Sequence, residues 1–285
     1  MGMKIIHLSD FHIGCKKRYA VLKTHFDETI NYLKNNIEQP EEHIIIVTGD
    51  ITHNANEDDF GYAANSFNEL RTLGFKVLAV PGNHDYRVKD EYSGGIEDSE
   101  QARKLFCESF YDGNTEFPKK NIFEFTNHTG HIEKIAFIGI DSDEDNLKGS
   151  KGKIGKRQRK ELSKKLKLSE VQQCNFKVVY LHHNPFAHRL SFWGMKLKDR
   201  KDFIRIIKRH NISLLLYGHT HLKSFKINKK NIGLCIDGGT TTGRGKNKTP
   251  ARIIDITTID FENIDDFEKE DIESHFSYIN EGWRE

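Results

Sequence analysis

The sequence predicts an α/β fold in which two mixed β-sheets pack face to face with helices on both outer sides, a four-layer α-β-β-α sandwich. Three observations predict it. Five apolar runs, IIHLSDFH, HIIIVTGD, FKVLAVPGNHD, FKVVYLHHN and ISLLLYGHTH, each stop abruptly at Gly, Asn, Asp or His. Short runs rich in β-branched residues and bounded by turn residues read as buried strands. Between them lie stretches of helical periodicity, the alternation expected of α/β proteins. After His221 the pattern changes to short strands separated by Asn-Lys and Gly-rich turns, which read as hairpins.

In chain order, the first strand covers Met3 to Ser9 and hands over to Asp10 and His12. Tyr19 to Ile37 reads as a helix, with Leu22, Phe26, Ile30 and Leu33 at three- and four-residue spacing. The second strand ends at Asp50. Asp58 to Leu73 reads as another helix, its buried stripe formed by Phe60, Ala63, Phe67 and Leu70. The third strand runs into Asn83, His84 and Asp85, a fourth into His182 and His183, and a fifth into His219, Thr220 and His221. Lys223 to Ile227, Ile232 to Ile236 and Arg252 to Ile259 are the later strands. No internal repeat or linker divides the chain, so 1–261 is expected to be one domain. The remaining 262–285 is acidic but carries Phe267, Phe276, Tyr278, Ile279 and Trp283, which suggests a tail docked on the domain or on a neighbour.

The strand ends carry metal-ligand chemistry. In α/β sheets, ligands gather in the crevice beyond the carboxyl ends of the strands. Five such ends can therefore bring Asp10, His12, Asp50, Asn83, His182, His219 and His221 to one place. Imidazole, carboxylate and amide oxygen suit Mn, Fe, Zn, Ni or Co, whereas a Cys-rich set would point to structural zinc. Two ions about 3.5–4 Å apart need a bridging group, and one carboxylate with two oxygens can serve both. Asp50, alone in its GD pair, is the candidate bridge. Gly49, Gly82 and Gly218 precede three ligands and let the backbone turn sharply. D-x-H, GD and HH are weak signals alone. GNHD and GHTH after apolar runs are strong, and all five in this order are specific.

With SDFH, TGD, PGNHD, LHHNP and YGHTH, the chain resembles the calcineurin-like metallophosphoesterases over most of residues 3 to 260. The resemblance implies one metal held by Asp10, His12, Asp50 and His221, and a second held by Asp50, Asn83, His182 and His219. It puts His84 beside the leaving group rather than on a metal, with Asp85 fixing its ring. GIDS, GKIGKRQRKELSKKL and LKDRKDFIRIIKRHNISLLLYGHTH resemble the cyclic-nucleotide phosphodiesterase-like branch, as a strand end, the helix after it and a further helix-strand pair. There are two departures. His53 stands where that branch commonly has Asp or Asn, and HHNP replaces HHPP. His182 is assigned as ligand because it lies two residues before the family's first Pro; His183 is the alternative.

The implied activity is hydrolysis of a phosphodiester or phosphomonoester, with a nucleotide-like or other small phosphoester as substrate. A metal-activated hydroxide would attack phosphorus in line, and protonated His84 would supply the leaving alkoxide with a proton. Two alternatives share the ligands: a DNA exonuclease of the double-strand-break-repair type and a non-catalytic metal-binding scaffold. The exonuclease reading lacks an evident coiled-coil segment and has little room after residue 260 for a DNA-capping domain. The scaffold reading predicts missing ligands, and none is missing. A Ser/Thr protein phosphatase would read GDxVDRG and GNHE, where this chain has GDITHN and GNHD.

The formal net charge of +2 over 285 residues argues against a polyanion-binding surface spread over the whole molecule. One basic run stands out: Lys148 to Lys167 holds Lys151, Lys153, Lys156, Arg157, Arg159, Lys160, Lys164 and Lys165 against the single acid Glu161. It reads first as a solvated helix face and second as an attractor for a phosphorylated or polynucleotide substrate. His188 to Arg200 follows the His182 motif directly, so Phe192 and Trp193 could stack a base or pack as a lid. Cys15, Cys107, Cys174 and Cys235 are far apart and are expected to be reduced. No apolar run approaches the roughly 18 residues of a membrane span, and no signal peptide is read at the N-terminus, so the expected compartment is the cytoplasm.

Overall fold

The computed structural model describes residues 3–15, 19–86, 99–126, 130–143, 150–186, 197–228, 232–242, 251–256 and 274–279. Phe192, Trp193, Lys148, residues 87–98, and Phe267 and Trp283 of the C-terminal stretch lie outside them. The elements are β1 (Lys4–Leu8), α1 (Tyr19–Asn36), a 3₁₀ turn (Pro40–Glu42), β2 (His43–Val47), α2 (Glu57–Thr72), β3 (Lys76–Ala79), α3 (Ser99–Tyr111), β4 (Lys119–Thr126) and β5 (Ile132–Ile140). They continue with α4 (Lys156–Lys165), α5 (Ser169–Gln172), β6 (Phe176–Leu181), α6 (Arg200–Arg209), β7 (Ile212–Tyr217), β8 (Lys223–Asn228), β9 (Ile232–Gly238), β10 (Arg252–Asp255) and β11 (Phe276–Tyr278).

Two mixed sheets result. The first has the order β11-β10-β1-β2-β3 and the second β4-β5-β6-β7-β9-β8. Parallel strands fill both centres: β1 with β2 and β3, and β5 with β6, β7 and β9. Antiparallel strands close three of the four edges among the described residues, and β3, parallel to β2, forms the fourth. Central strands buried on both faces are largely apolar along their length, and the second sheet shows how this is divided. Ile135, Phe137, Val178, Tyr180, Leu214 and Leu216 join the core shared with the first sheet, together with Phe26, Phe60 and Phe67 from α1 and α2. Their immediate neighbours Ala136, Ile138, Val179, Leu181, Leu215 and Tyr217 pack on the opposite side with Leu162 of α4 and Phe203 and Ile207 of α6. Period-two alternation thus builds two cores from single strands.

Asn56 caps α2: its side chain accepts from the backbone N–H groups of Asp58 and Asp59, and three acids occupy the first turn, where the helix dipole favours negative charge. The expected hairpin character after His221 holds for β8 and β9, which pair antiparallel. It fails for β10. This strand crosses to the other sheet and lies antiparallel to β1, with Ile254 opposite Ile5. The buried β1 needs a partner on its free side, and β10 supplies it. All four cysteines are free and buried. No helix among the described residues is long and apolar enough to cross a membrane.

Candidate metal centre

The loops after β1, β2, β3, β6 and β7 meet at one edge of the sandwich. Short backbone bonds stitch them together: Asp10 N to Gly49 O, His12 N to Asp50 O and Gly218 N to His182 O, each at 3.0 Å. Asp10, His12, Asp50, His219 and His221 all have positive φ, between 51° and 74°. Among non-glycine residues, Asp, Asn and His tolerate this left-handed region best. The residue types that can ligate a metal are also the types that can make these turns.

Asp10, His12, Asp50 and His221 form one group whose ligand atoms lie within 4.8 Å of one another, and Asp50, His182 and His219 form a second. In the first, Asp10 Oδ1 is 3.0 Å from His221 Nε2, His12 Nε2 is 3.1 Å from His221 Nε2, and His12 Nε2 is 3.7 Å from Asp50 Oδ2. In the second, His182 Nε2 is 3.0 Å from His219 Nδ1, 3.3 Å from Asn83 Oδ1 and 3.4 Å from Asp50 Oδ1. Donors bound to one ion at about 2.1 Å stand roughly 3.0–3.4 Å apart, so both groups fit a divalent cation. The two oxygens of Asp50 face different groups, the arrangement a shared carboxylate requires. A buried His/Asp cluster of this form suits a dinuclear divalent metal site.

Backbone carbonyls fix which nitrogen of each ring faces inward, because a carbonyl only accepts. His182 Nδ1 donates to Thr48 O at 2.7 Å, which leaves Nε2 for the cluster. His219 Nε2 donates to Ser150 O at 2.9 Å, which leaves Nδ1. His84 Nδ1 donates to His53 O at 2.8 Å. His183, next to His182, turns away and pairs its Nδ1 with Ser142 Oγ at 2.8 Å. His53 stacks on His84 with centroids 4.7 Å apart, so the position that departs from the resembled branch forms part of the mouth of the site.

Asp85 is placed differently from the expectation. Its carboxylate accepts from the N–H groups of Ile51, Thr52 and Gly82, and from the Thr52 hydroxyl, at 2.8–3.2 Å. Four donors converge on its two oxygens, so it clamps the loop after β3 to the loop after β2. The His84 ring is held by His53 O instead.

Electrostatics follow from burial and crowding. Burial opposes ionisation of Asp50, but the imidazoles of His182, His84 and His12 outweigh it and hold its carboxyl well below the usual range. Burial likewise disfavours charge on His182, yet the carboxylates of Asp50 and Asp10 push it up to about 10. Burial and the neighbouring His182 charge lower His219 to about 3. Burial and Asp50 raise Asp85 to about 7. The carboxylates therefore hold positive charge at this spot, and a cation entering there must displace the His182 proton.

Gly49 shows how tight the assembly is. Its φ is +86°, and a Cβ there would stand 2.5 Å from Gly82 N and 2.9 Å from His182 Nδ1. Gly49→Ala is expected to cost about 2–3 kcal/mol through strain and clash. Urea unfolding would read that loss, and metal analysis would show fewer ions bound.

Comparison with known proteins identifies the family. The family model for calcineurin-like phosphoesterases matches residues 3–223. The chain belongs to the calcineurin-like phosphoesterase family. It is accordingly a metal-dependent hydrolase. A Moraxella catarrhalis (strain BBH18) protein named "Probable cyclic nucleotide phosphodiesterase" is 28% identical over 226 residues, covering 76% of this chain and 70% of that one. An Arcobacter nitrofigilis protein named "Probable glycerophosphodiester phosphodiesterase GpdQ" is 24% identical over 228 residues, covering 77% and 72%. Among solved structures, a dimetal phosphatase from Danio rerio superposes with a TM-score of 0.55 at 14% identity, covering 88% of this chain and 94% of that chain. A purple acid phosphatase from yellow lupin gives 0.56 at 12% identity; the match covers 83% of this chain but only 44% of the lupin one. At these identities the two structures speak for the calcineurin-like fold alone.

Several residues at the centre went unread in the sequence. Ser9 and Thr48 sit inside the SDFH and TGD motifs, where the hydroxyl of Thr48 meets Ser9 Oγ at 2.9 Å. Asp237, at the end of β9, accepts hydrogen bonds from the Thr220 hydroxyl, from Asn184 Nδ2 at 3.2 Å and from Gly239 N at 3.1 Å. It thereby fixes the turn that carries His219 and His221. An isolated Asp in IDGG carries no ligand signal; only its place beside β7 reveals the role.

Proposed function

We propose that this cluster holds two divalent cations, of Mn, Fe, Zn, Ni or Co, and that the protein hydrolyses a phosphodiester of a small nucleotide-like molecule. The observation that carries the proposal is the division of the Asp50 carboxylate between two converging groups. Asp10, His12, Asp50 and His221 would hold one ion; Asp50, Asn83, His182 and His219 would hold the other. Both relatives described above are named as phosphodiesterases, which supports a diester substrate.

Bound cations would supply charge neutralisation at a phosphate oxygen and a water of lowered pKa. The chain's own residues do the rest. Thr48 O and Ser150 O orient His182 and His219. Asp50 Oδ1 also accepts from His84 N at 2.8 Å, which ties the bridging carboxylate to the loop that carries the proton donor. His84, half-buried, has Nδ1 engaged with His53 O, so its Nε2 is the nitrogen that offers a proton to a leaving oxygen.

The test is turnover of bis(p-nitrophenyl) phosphate, p-nitrophenyl phosphate, a cyclic nucleotide and single-stranded DNA by protein loaded with each ion in turn. Faster cleavage of the diester than of the monoester is expected. The reverse order overturns the diester reading, and no turnover with any ion overturns hydrolysis at this site.

The basic run is read as a solvated face. Arg159 is engaged by Asp199 and also lies 3.5 Å from Asp202, and Lys164 pairs with Glu161 at 2.7 Å. Lys156→Glu with Lys160→Glu is expected to leave turnover of a small diester and of single-stranded DNA alike unchanged. Selective loss on DNA would instead mark a polynucleotide substrate.

A further inference from the structure

Beneath Asp10 lies a chain of side chains that the metal ligands alone do not explain. His7, in the middle of β1, is fully buried, an unusual place for imidazole between Ile6 and Leu8. Its Nε2 is 2.9 Å from Thr48 Oγ1; Thr48 Oγ1 is 2.9 Å from Ser9 Oγ; Ser9 Oγ is 2.5 Å from Asp10 Oδ2. Gly238 of β9 closes over the group, for a Cβ there would stand 3.0 Å from His7 Nε2 and 2.9 Å from Ser9 Cβ. The relay is therefore sealed between the two sheets.

Its polarity is forced from the carboxylate end. An ionised carboxylate only accepts, so Ser9 must donate to Asp10. Ser9 Oγ then accepts from Thr48, and Thr48 Oγ1 accepts from a proton on His7 Nε2. The competing acceptors for the two hydroxyls, Leu8 O and Thr48 O, are both at 3.5 Å, too long to win. The other ring nitrogen, His7 Nδ1, is buried without a hydrogen-bond partner. An empty lone pair there costs less than an orphaned N–H, which agrees with the proton on Nε2. Asp10 Oδ2 thus receives Ser9 Oγ–H and also His219 N–H at 3.0 Å. Oδ1 is turned the other way, 3.0 Å from His221 Nε2 and 3.9 Å from His12 Nε2.

We infer that His7 is a positioning residue: through Thr48 and Ser9 it orients the Asp10 carboxylate so that Oδ1 alone is presented to a cation. The inference rests on the ligand sets proposed above. It also predicts asymmetry between the two ions. Thr48 serves the other group only through its backbone carbonyl, which receives His182 Nδ1, and no side-chain change at His7 removes that bond.

Titration calorimetry with Mn²⁺ on the metal-stripped full chain tests it. The wild type should take up two ions, and the phase that Asn83→Ala weakens identifies the Asn83, His182 and His219 side. His7→Phe should weaken only the other phase, by about tenfold, the scale seen when an outer-shell partner of a ligand is removed. His7→Gln places an amide N–H where Nε2 stood and should restore affinity, whereas His7→Asn, too short to reach Thr48, should not. Thr48→Val interrupts the same relay one step later and should reproduce the single-phase loss even if His7→Phe folds poorly. Equal weakening of both phases, no weakening, or a His7→Gln variant as weak as His7→Phe overturns the relay. A wild type that takes up fewer than two ions overturns the site assignment on which the relay depends, a failure visible before any variant is made.

Discussion

Asp50→Asn is expected to leave a folded chain that has lost most of its activity and at least one of its two ions. The direction of the loss can be argued from the hydrogen bonds. Asp50 Oδ1 accepts from His84 N at 2.8 Å, so asparagine will keep its only oxygen there and turn its amide NH₂ toward the Oδ2 position. That position is 3.7 Å from His12 Nε2. An NH₂ cannot ligate a cation, so the ion of the Asp10, His12 and His221 group should be lost first. Gly82 leaves the space that Oδ1 occupies, since a Cβ there would collide with that oxygen. Removing the charge stabilisation of a bound cation costs several kcal/mol, equivalent to about 10³-fold or more in turnover. Elemental analysis of the purified variant, beside its rate on a model diester, checks both parts. Two ions per chain with normal turnover would remove Asp50 from the bridge.

The strand ends that carry the candidate ligands were legible because two physical signals coincide there: a buried strand is largely apolar, and its end must carry whatever the site needs. The helices α1 and α2 were legible for the same reason, their stripes of Leu22, Phe26 and Ile30 and of Phe60, Ala63 and Phe67 being periodic and buried. Helix α3 went unread although Ala102, Phe106 and Phe110 repeat every four residues and are buried; the signal existed. The sheet assignment of β10 was not available in the same way. RIID says strand, but pairing with β1 rather than with β9 is decided by which edge is unfilled, a tertiary fact. The three residues of β11 are too few to show a period. At the site, the residues that the fold brings together as candidate ligands were readable because chemistry restricts ligation to a few residue types. The relay of His7, Thr48 and Ser9 was not, because small hydroxyl residues have many uses and its link from His7 to Thr48 spans 41 residues of sequence. Asp85 illustrates the converse. Its carboxylate looked like a partner for the adjacent His84, yet the backbone donors of Ile51, Thr52 and Gly82 claim it.

His84→Ala should separate metal binding from proton donation. His84 has a ring hydrogen bond to His53 O and stands edge-on to His12 with centroids 4.7 Å apart, but it belongs to neither group that shares Asp50. Both ions should therefore remain, since Asp10, His12, Asp50, Asn83, His182, His219 and His221 are untouched. Loss of a general acid typically costs about 10²–10⁴-fold, and the cost should scale with how badly the leaving group needs a proton. An alkyl diester, whose alkoxide leaves poorly, should lose nearly the full factor. A nitrophenyl diester, whose phenolate leaves without help, should lose far less. Comparing the two rates at equal, measured metal content gives the answer. Equal falls with both ions present would make His84 a residue that positions phosphate rather than one that donates a proton. Loss of an ion would make it a ligand, and the His12, His53 and His84 grouping, whose ring nitrogens also lie within 4.8 Å of one another, would then be the place to look for that ion.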